Sequence, residues 1–276
     1  MNFSLARQRF YREISQPDGQ IDLAIAALYI AQEDYPTINP ATYLNTLDTL
    51  ANEVKGRLPT PRYPLKIIQI LNGYLFDELG FTGNQQDYYD PRNSYLNEVL
   101  DRRMGIPITL SLMYLEIAKR IDFPMVGVGM PGHFLVRPTV DEMAVFVDPF
   151  NGGEVMFEAD CETKFHQLYG PNAQWHPDFL SPVLPKPFLV RMLTNLKMIY
   201  LNRRQFDRAI AILDRLLLLN PDNVYEYRDR GLIHYHLNHY AAAKQDLRQY
   251  LQGSTSPSDI AKIELLLAQI EQESSD

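Results

Sequence analysis

Along most of the chain the apolar residues recur at intervals of three and four, a spacing that lines them up on one face of a helix. It predicts a helix over residues 3–14, stopped by Pro17-Asp18-Gly19, and a second over 21–34 in the Ala-rich run IDLAIAALYIAQED, which Tyr35-Pro36 ends. A third runs from Pro40 to about residue 55, with Asn39 placed to cap it and Pro40 in the first turn, where a missing N–H does no harm. The run PLKIIQILNGYLFDELGF is amphipathic in the same way, and Gly80 suits its C-terminal end. The first hundred residues therefore read as helical.

After residue 93 the pattern changes. A short helix is predicted over 94–100, and RRMGIP then has the make-up of a loop entering another helix, with Pro107 at its start. The helix over 108–120 carries Leu112, Leu115 and Ile117, widened by Met113, Tyr114 and Ala118, so it should be largely buried. Three β-rich runs follow, PMVGVGM, GHFLVRP and AVFVDPF, the first two separated by the turn dipeptide Pro131-Gly132. Consecutive short strands imply a small antiparallel sheet packed on that helix. Residues 154–169 read as a strand and a helix, and 170–187, with five prolines, as a linker without elements of its own.

From residue 188 the chain repeats itself. Leu196, Tyr200, Ala209, Leu213 and Pro221 fall at the spacings of a 34-residue helical pair, and Gly231, Ala243 and Leu247 follow one period on. The small residues sit where paired helices approach closely, and a helix over 258–271 would cap the array. These elements predict an α+β chain, mostly helical: a helical region over 1–90, a core with a small antiparallel sheet over 91–170, a Pro-rich linker over 171–187 and an all-α repeat domain over 188–276. Two repeats and a cap make a small core, so the repeats are expected to lean on the first domain.

Composition narrows the function. The 276 residues are 46% hydrophobic with a net charge of −8, which suits a globular chain and argues against nucleic acid as a partner. The N-terminus alternates charged and apolar residues without the apolar core of a signal peptide, and no apolar run is long enough for membrane insertion. With one cysteine, Cys161, and hence no internal disulfide, a cytoplasmic location is expected.

The segment NSYLNEVLDRRMGIPITL, followed by PGHFLVR and DPFNGG, resembles the core of the transglutaminase-like superfamily, a circularly rearranged relative of the papain fold. In more detail it is similar to a bacterial family that joins such a core to tetratricopeptide repeats. The resemblance implies a Cys nucleophile at a helix N-terminus, a strand His as its base and an Asp on the next strand to orient the His, an arrangement that makes chemical sense because a helix start lowers a thiol pKa. Carried over, His133 is the His and Asp148 the Asp, whereas the Cys position falls on Pro107, which has no nucleophilic atom. The core therefore reads as degenerate, a pseudoenzyme, and the leading expectation is a non-catalytic adaptor for protein–protein interaction or assembly. The alternative is a cysteine-less hydrolase, a peptidase, amidase or acyltransferase, working through His133 and Asp148.

Thr109 and Ser111, hydroxyls near the same helix start, are the candidates to replace the thiol, although backbone bonding in the first turns is the commoner use of such residues. Asn93, Asn97, Glu98 and Arg102 form a polar cluster upstream that could line a binding groove; Glu98 and Arg102, at i and i+4, read more simply as an ion pair. Cys161 lies between Asp160 and Glu162, a setting that raises a thiol pKa. His234, His236 and His239 do not share a helix face, so no metal is expected, and no cofactor either. Gly127 and Gly129 imitate part of a dinucleotide motif, but a turn and strand follow them instead of a helix.

Overall fold

A computed structural model describes residues 4–140 and 144–273. Helices α1 (Leu5–Ile14), α2 (Leu23–Asp34), α3 (Pro40–Arg57) and α4 (Pro64–Asn72) come first. Their starts follow the sequence cues: Ser4, Asp22 and Asn39 each accept a backbone N–H of the first turn, and Pro40 and Pro64 open their helices. Phe3, the predicted start of α1, lies outside the described residues. A wider π turn, Gly73–Glu78, continues α4, and Gly80 ends it with φ +73°.

Helix α5 (Leu96–Arg102) and helix α6 (Pro107–Arg120) flank a tight bend in which Arg103 is left-handed, φ 55°. The bend is held by two short parallel strands, β1 (Thr82–Gly83) and β2 (Met104–Gly105). Leu110, Leu112, Met113, Tyr114, Ile117 and Ala118 are fully buried, so α6 is the central element on which the other helices and the sheet pack.

The sheet has the order β6-β5-β4-β3-β7, all neighbours antiparallel, with β3 (Met125–Val128), β4 (Leu135–Pro138), β5 (Phe146–Asp148), β6 (Glu154–Met156) and β7 (Pro182–Val183). Three of the strands match the predicted runs and β6 the predicted strand after them. β7 was not expected: the segment read from its prolines as lacking elements supplies an edge strand on β3, a position where Pro182 costs no ladder bond in the sheet interior. Helix α7 (Glu158–Tyr169) covers one end of the sheet, and Cys161 sits in the apolar cluster of Val128, Met130, Leu135, Phe146, Met156 and Leu180.

The chain divides into two compact units, Met1–Met192 and Leu193–Asp276, with the division inside α8 (Pro185–Asn202). The second unit continues with α9 (Phe206–Leu219), α10 (Val224–His236), α11 (Tyr240–Gly253) and α12 (Pro257–Glu273). Gly231 is required where α10 meets α11, since a Cβ there would lie 2.9 Å from Leu247 and 3.2 Å from Asp246. Ala209 and Ala243 are fully buried, and Leu247, Tyr250, Ile263, Leu267 and Ile270 form the core under the terminal helix, as a capped repeat array requires. No helix among the described residues is long and apolar enough to cross a membrane.

Candidate functional site

The site is assembled from two turns that local sequence dictates. In the first, Pro131-Gly132 reverses the chain with Gly132 at φ +71°, and the His133 N–H closes the turn on the Met130 carbonyl at 3.0 Å. His133 thus stands just before β4 and not within a strand. In the second, Asp148 ends β5 and caps the 3-10 turn Pro149–Asn151: its Oδ1 accepts from the N–H groups of Phe150 (3.1 Å) and Asn151 (3.3 Å). Gly152 and Gly153 follow in left-handed conformation, and the Gly153 carbonyl accepts from Asn72 Nδ2 at 2.6 Å, while Tyr114 of α6 donates to Asn72 Oδ1 at 3.0 Å. The DPFNGG turn is therefore tied to α4 and α6.

These turns bring His133 Nε2 to 2.7 Å from Asp148 Oδ2. The pair is not alone. Lys164, from α7, forms an ion pair with the same Oδ2, and Asn151 Nδ2 donates to it at 2.8 Å. Burial by itself pushes the Asp148 carboxyl up, but the His133 hydrogen bond and charge, with Lys164 and Asn151, outweigh it and hold the carboxyl down at about 2. Asp148 is thus an anion at neutral pH, shared between a His and a Lys. The His133 ring also meets the edge of Phe150, 5.9 Å between centroids, and Phe150 in turn meets Tyr88 at 6.0 Å.

The helix start expected to hold a nucleophile is closed. Pro107 is the first residue of α6 and is buried, between Ile106 at 1% and Ile108 at 2% exposure. The proposed substitutes for the thiol are committed to the backbone: Thr109 Oγ1 donates to the Asn93 carbonyl at 2.6 Å and accepts from the Ile106 N–H at 3.1 Å, and Ser111 Oγ donates to the Phe134 carbonyl at 3.4 Å. Both are fully buried and neither bonds to His133. Cys161 is no substitute, because burial, helped by Asp160, pushes its thiol up to about 12.

The upstream polar cluster separates into two. Asn93 accepts from Asn84 Nδ2 (3.2 Å) and Arg102 (3.4 Å) and donates to the Asp87 carbonyl at 2.8 Å, while Arg102 lies 3.6 Å from the buried Asp90 carboxylate. The i, i+4 pair of Glu98 with Arg102 does not form. Arg102, the last residue of α5, reaches back to the buried Asp90, which also pairs with Arg92 at 2.7 Å, and Glu98 instead bonds the Tyr35 phenol, which burial and that carboxylate push up to about 12. Asn97 lies on the same side as Glu98, interacting with Tyr43, and its Oδ1 is buried without a partner. Asn93, Asp90 and Arg102 brace the bend before α6; they do not line an open groove with Asn97 and Glu98.

Lys164, Asn151 and Arg191 at the site were not found from the sequence. Asn151 had a signal, three residues after Asp148 in a turn run, but nothing in the pattern of α7 or α8 singled out Lys164 or Arg191. Of the three histidines in the repeats, His236 stacks edge-on with Phe206 at 4.6 Å and His234 faces His239 at 5.7 Å. Among the described residues no group of three or more His, Cys, Asp or Glu is placed to hold a metal.

A His and a carboxylate on adjacent turns of an antiparallel sheet, beside the start of a buried central helix and followed by paired helices, define a transglutaminase-like core joined to tetratricopeptide repeats. Residues 41–194 match the transglutaminase-like superfamily and residues 196–268 a tetratricopeptide repeat family. The chain is 38% identical over 239 residues to a UPF0162 protein of Xylella fastidiosa (strain 9a5c), covering 85% of both, and 30% identical over 238 residues to a UPF0162 protein of Vibrio cholerae, covering 84% of this chain and 87% of that one. By these matches the chain belongs to the transglutaminase-like superfamily and, within it, to the bacterial UPF0162 proteins. It is also 33% identical over 190 residues to the F-box only protein 21 of Homo sapiens, a stretch that is 62% of this chain and 28% of that protein. No solved structure matches the chain significantly.

Proposed function

We infer that the protein is a non-catalytic adaptor, in which a transglutaminase-like core has become a recognition or assembly surface and the tetratricopeptide repeats contribute partner contacts. One observation carries this reading: the first turn of α6, where the superfamily resemblance puts the nucleophile, holds Pro107 and is sealed, with Thr109 and Ser111 bonded to backbone. Loss of the nucleophile from a group of residues acting as a unit removes most of its rate enhancement. Tetratricopeptide repeats commonly mediate protein interactions, which supports a partner protein rather than a small substrate. A cytoplasmic setting fits the same reading.

The test is to treat the full-length protein with an electrophilic amide probe and map adducts by mass spectrometry. No residue of the α6 start should be modified. An adduct on Thr109 or Ser111 that vanishes in His133→Ala overturns the adaptor reading.

A second reading has its own support. The 2.7 Å contact of His133 with Asp148 is the arrangement that would let His133 activate a water for hydrolysis. Turnover of amide or ester substrates by the wild-type protein, lost in His133→Ala, would favour it.

A further inference from the structure

We propose that Arg191, together with Tyr88, Tyr169 and the segment around His133, forms a binding site for the carboxylate of a ligand with an aromatic or apolar body. The inference goes beyond the adaptor reading and does not depend on it, since an adaptor and an enzyme could each bind such a group.

Arg191 lies on the part of α8 that belongs to the first unit. One terminal nitrogen, Nη2, donates to the His133 carbonyl at 2.5 Å and the Met130 carbonyl at 3.1 Å, and the guanidinium stands 5.2 Å from the centre of the Phe134 ring. A guanidinium carries five N–H groups. Those on Nε and Nη1 have no protein acceptor among the described residues, and no carboxylate pairs with Arg191. Other buried bases among the described residues do have one: Arg120 has Glu116, Lys164 has Asp148, Lys197 has Glu226 and Arg230 has Asp246. The groups that act on the Arg191 charge are the Tyr88 and Tyr169 side chains, not carboxylates. Burying a cation without a counter-ion is costly, so a fold that keeps one has a reason to.

The surroundings specify the ligand. Asp148, the acid nearest along this turn, is already neutralised by Lys164 and bonded to His133, which leaves Arg191 as one uncompensated positive charge. One charge matches a monoanion better than a phosphate dianion. The mouth is aromatic: Tyr88 and Tyr169 are 37% and 53% exposed, Phe150 joins Tyr88 to His133, and Gly132 lets the Tyr169 hydroxyl approach to where its Cβ would be, 3.0 Å away. An aromatic group beside the carboxylate would lie on these rings.

The probe is N-acetylphenylalanine, set against its uncharged amide and against inorganic phosphate. Each is titrated into the full-length protein by calorimetry, with the imidazole signals of histidine followed by NMR, because the Arg191 contact to the His133 backbone should carry the effect to that ring. The acid should bind at least tenfold more tightly than the amide, shift the His133 signals, and be undisturbed by phosphate. Arg191→Gln should abolish binding, and Arg191→Lys should weaken it because the planar donor array is lost. Tyr169→Ala, at an exposed position, should weaken binding at least threefold without affecting folding. Equal binding of acid and amide, preference for phosphate, or no binding of the acid overturns the proposal on the wild-type protein alone, even if the Arg191 variants fail to fold.

Discussion

The two units bury charge in different ways. In the repeats two buried bases are each bracketed by two acids: Lys197 by Glu226 and Asp229, both at 2.6 Å, and Arg230 by Asp214 at 2.5 Å and Asp246 at 2.7 Å. The acids outweigh the loss of solvation and raise the affinity of both bases for their protons. In the transglutaminase-like unit the charges around the His turn are unevenly distributed: one carboxylate, Asp148, serves His133 and Lys164, while Arg191 has backbone carbonyls only. The repeat networks tie α8, α9, α10 and α11 together. Around the His turn there are donors still to be satisfied, which is what a ligand site needs and a purely structural network avoids.

Removing the most heavily used group should have the largest effect. Asp148→Ala strands His133, leaves Lys164 with only the exposed Glu154 at 3.6 Å and uncaps the turn before Gly152, and should cost about 4 kcal/mol in urea or thermal unfolding. Asp148→Asn keeps a turn acceptor and should cost clearly less. In the repeats, Arg230→Met leaves Asp214 and Asp246 facing each other, with an expected loss of about 3 kcal/mol, measured in the same way. If it proves neutral, the bracketed networks are dispensable and the contrast between the units is weaker than the geometry suggests.

Acid sharpens the comparison. The folded Asp148 carboxyl titrates at about 2, below its unfolded value of about 3.9, so the unfolded chain takes up the proton first on acidification. The stabilisation is therefore complete above about pH 5 and is lost as pH falls toward 2, amounting to about 2.6 kcal/mol. Unfolding curves of wild type and Asp148→Asn should converge over that window, and parallel curves would show that the carboxylate is not held in its charged form. The smallest effect is expected for Arg191→Gln. No acid is left unpaired by it, so about 1 kcal/mol, the worth of its carbonyl hydrogen bonds, is the expected loss in thermal unfolding. A loss as large as that of Arg230→Met would reveal a structural partner for Arg191 and remove the reason to treat it as a ligand site.

Much of this could be read from local pattern. Helix period, caps such as Asn39 and Asp22, Pro107 at a helix start, the glycines after Asp148 and the 34-residue repeat are set by neighbours within a few residues, where backbone sterics and turn chemistry act directly. The meeting of His133 with Asp148 was also foreseeable, because adjacent antiparallel strands put their end turns side by side. The sequence did not determine which of several possible partners each charge would take. Helix spacing paired Arg102 with Glu98 at i+4, yet Arg102 lies beside the buried Asp90, since a desolvated carboxylate competes more strongly for a cation than one near solvent. Lys164 reached Asp148 across 16 residues and Arg191 reached the His133 carbonyl across 58, and no periodicity encodes such distances. Sequence alone settled most of the elements and placed Pro107 at the start of α6; packing around α6 decided which charges are neutralised and which one is left to bind, because desolvation depends on what the whole fold buries and not on what lies next along the chain.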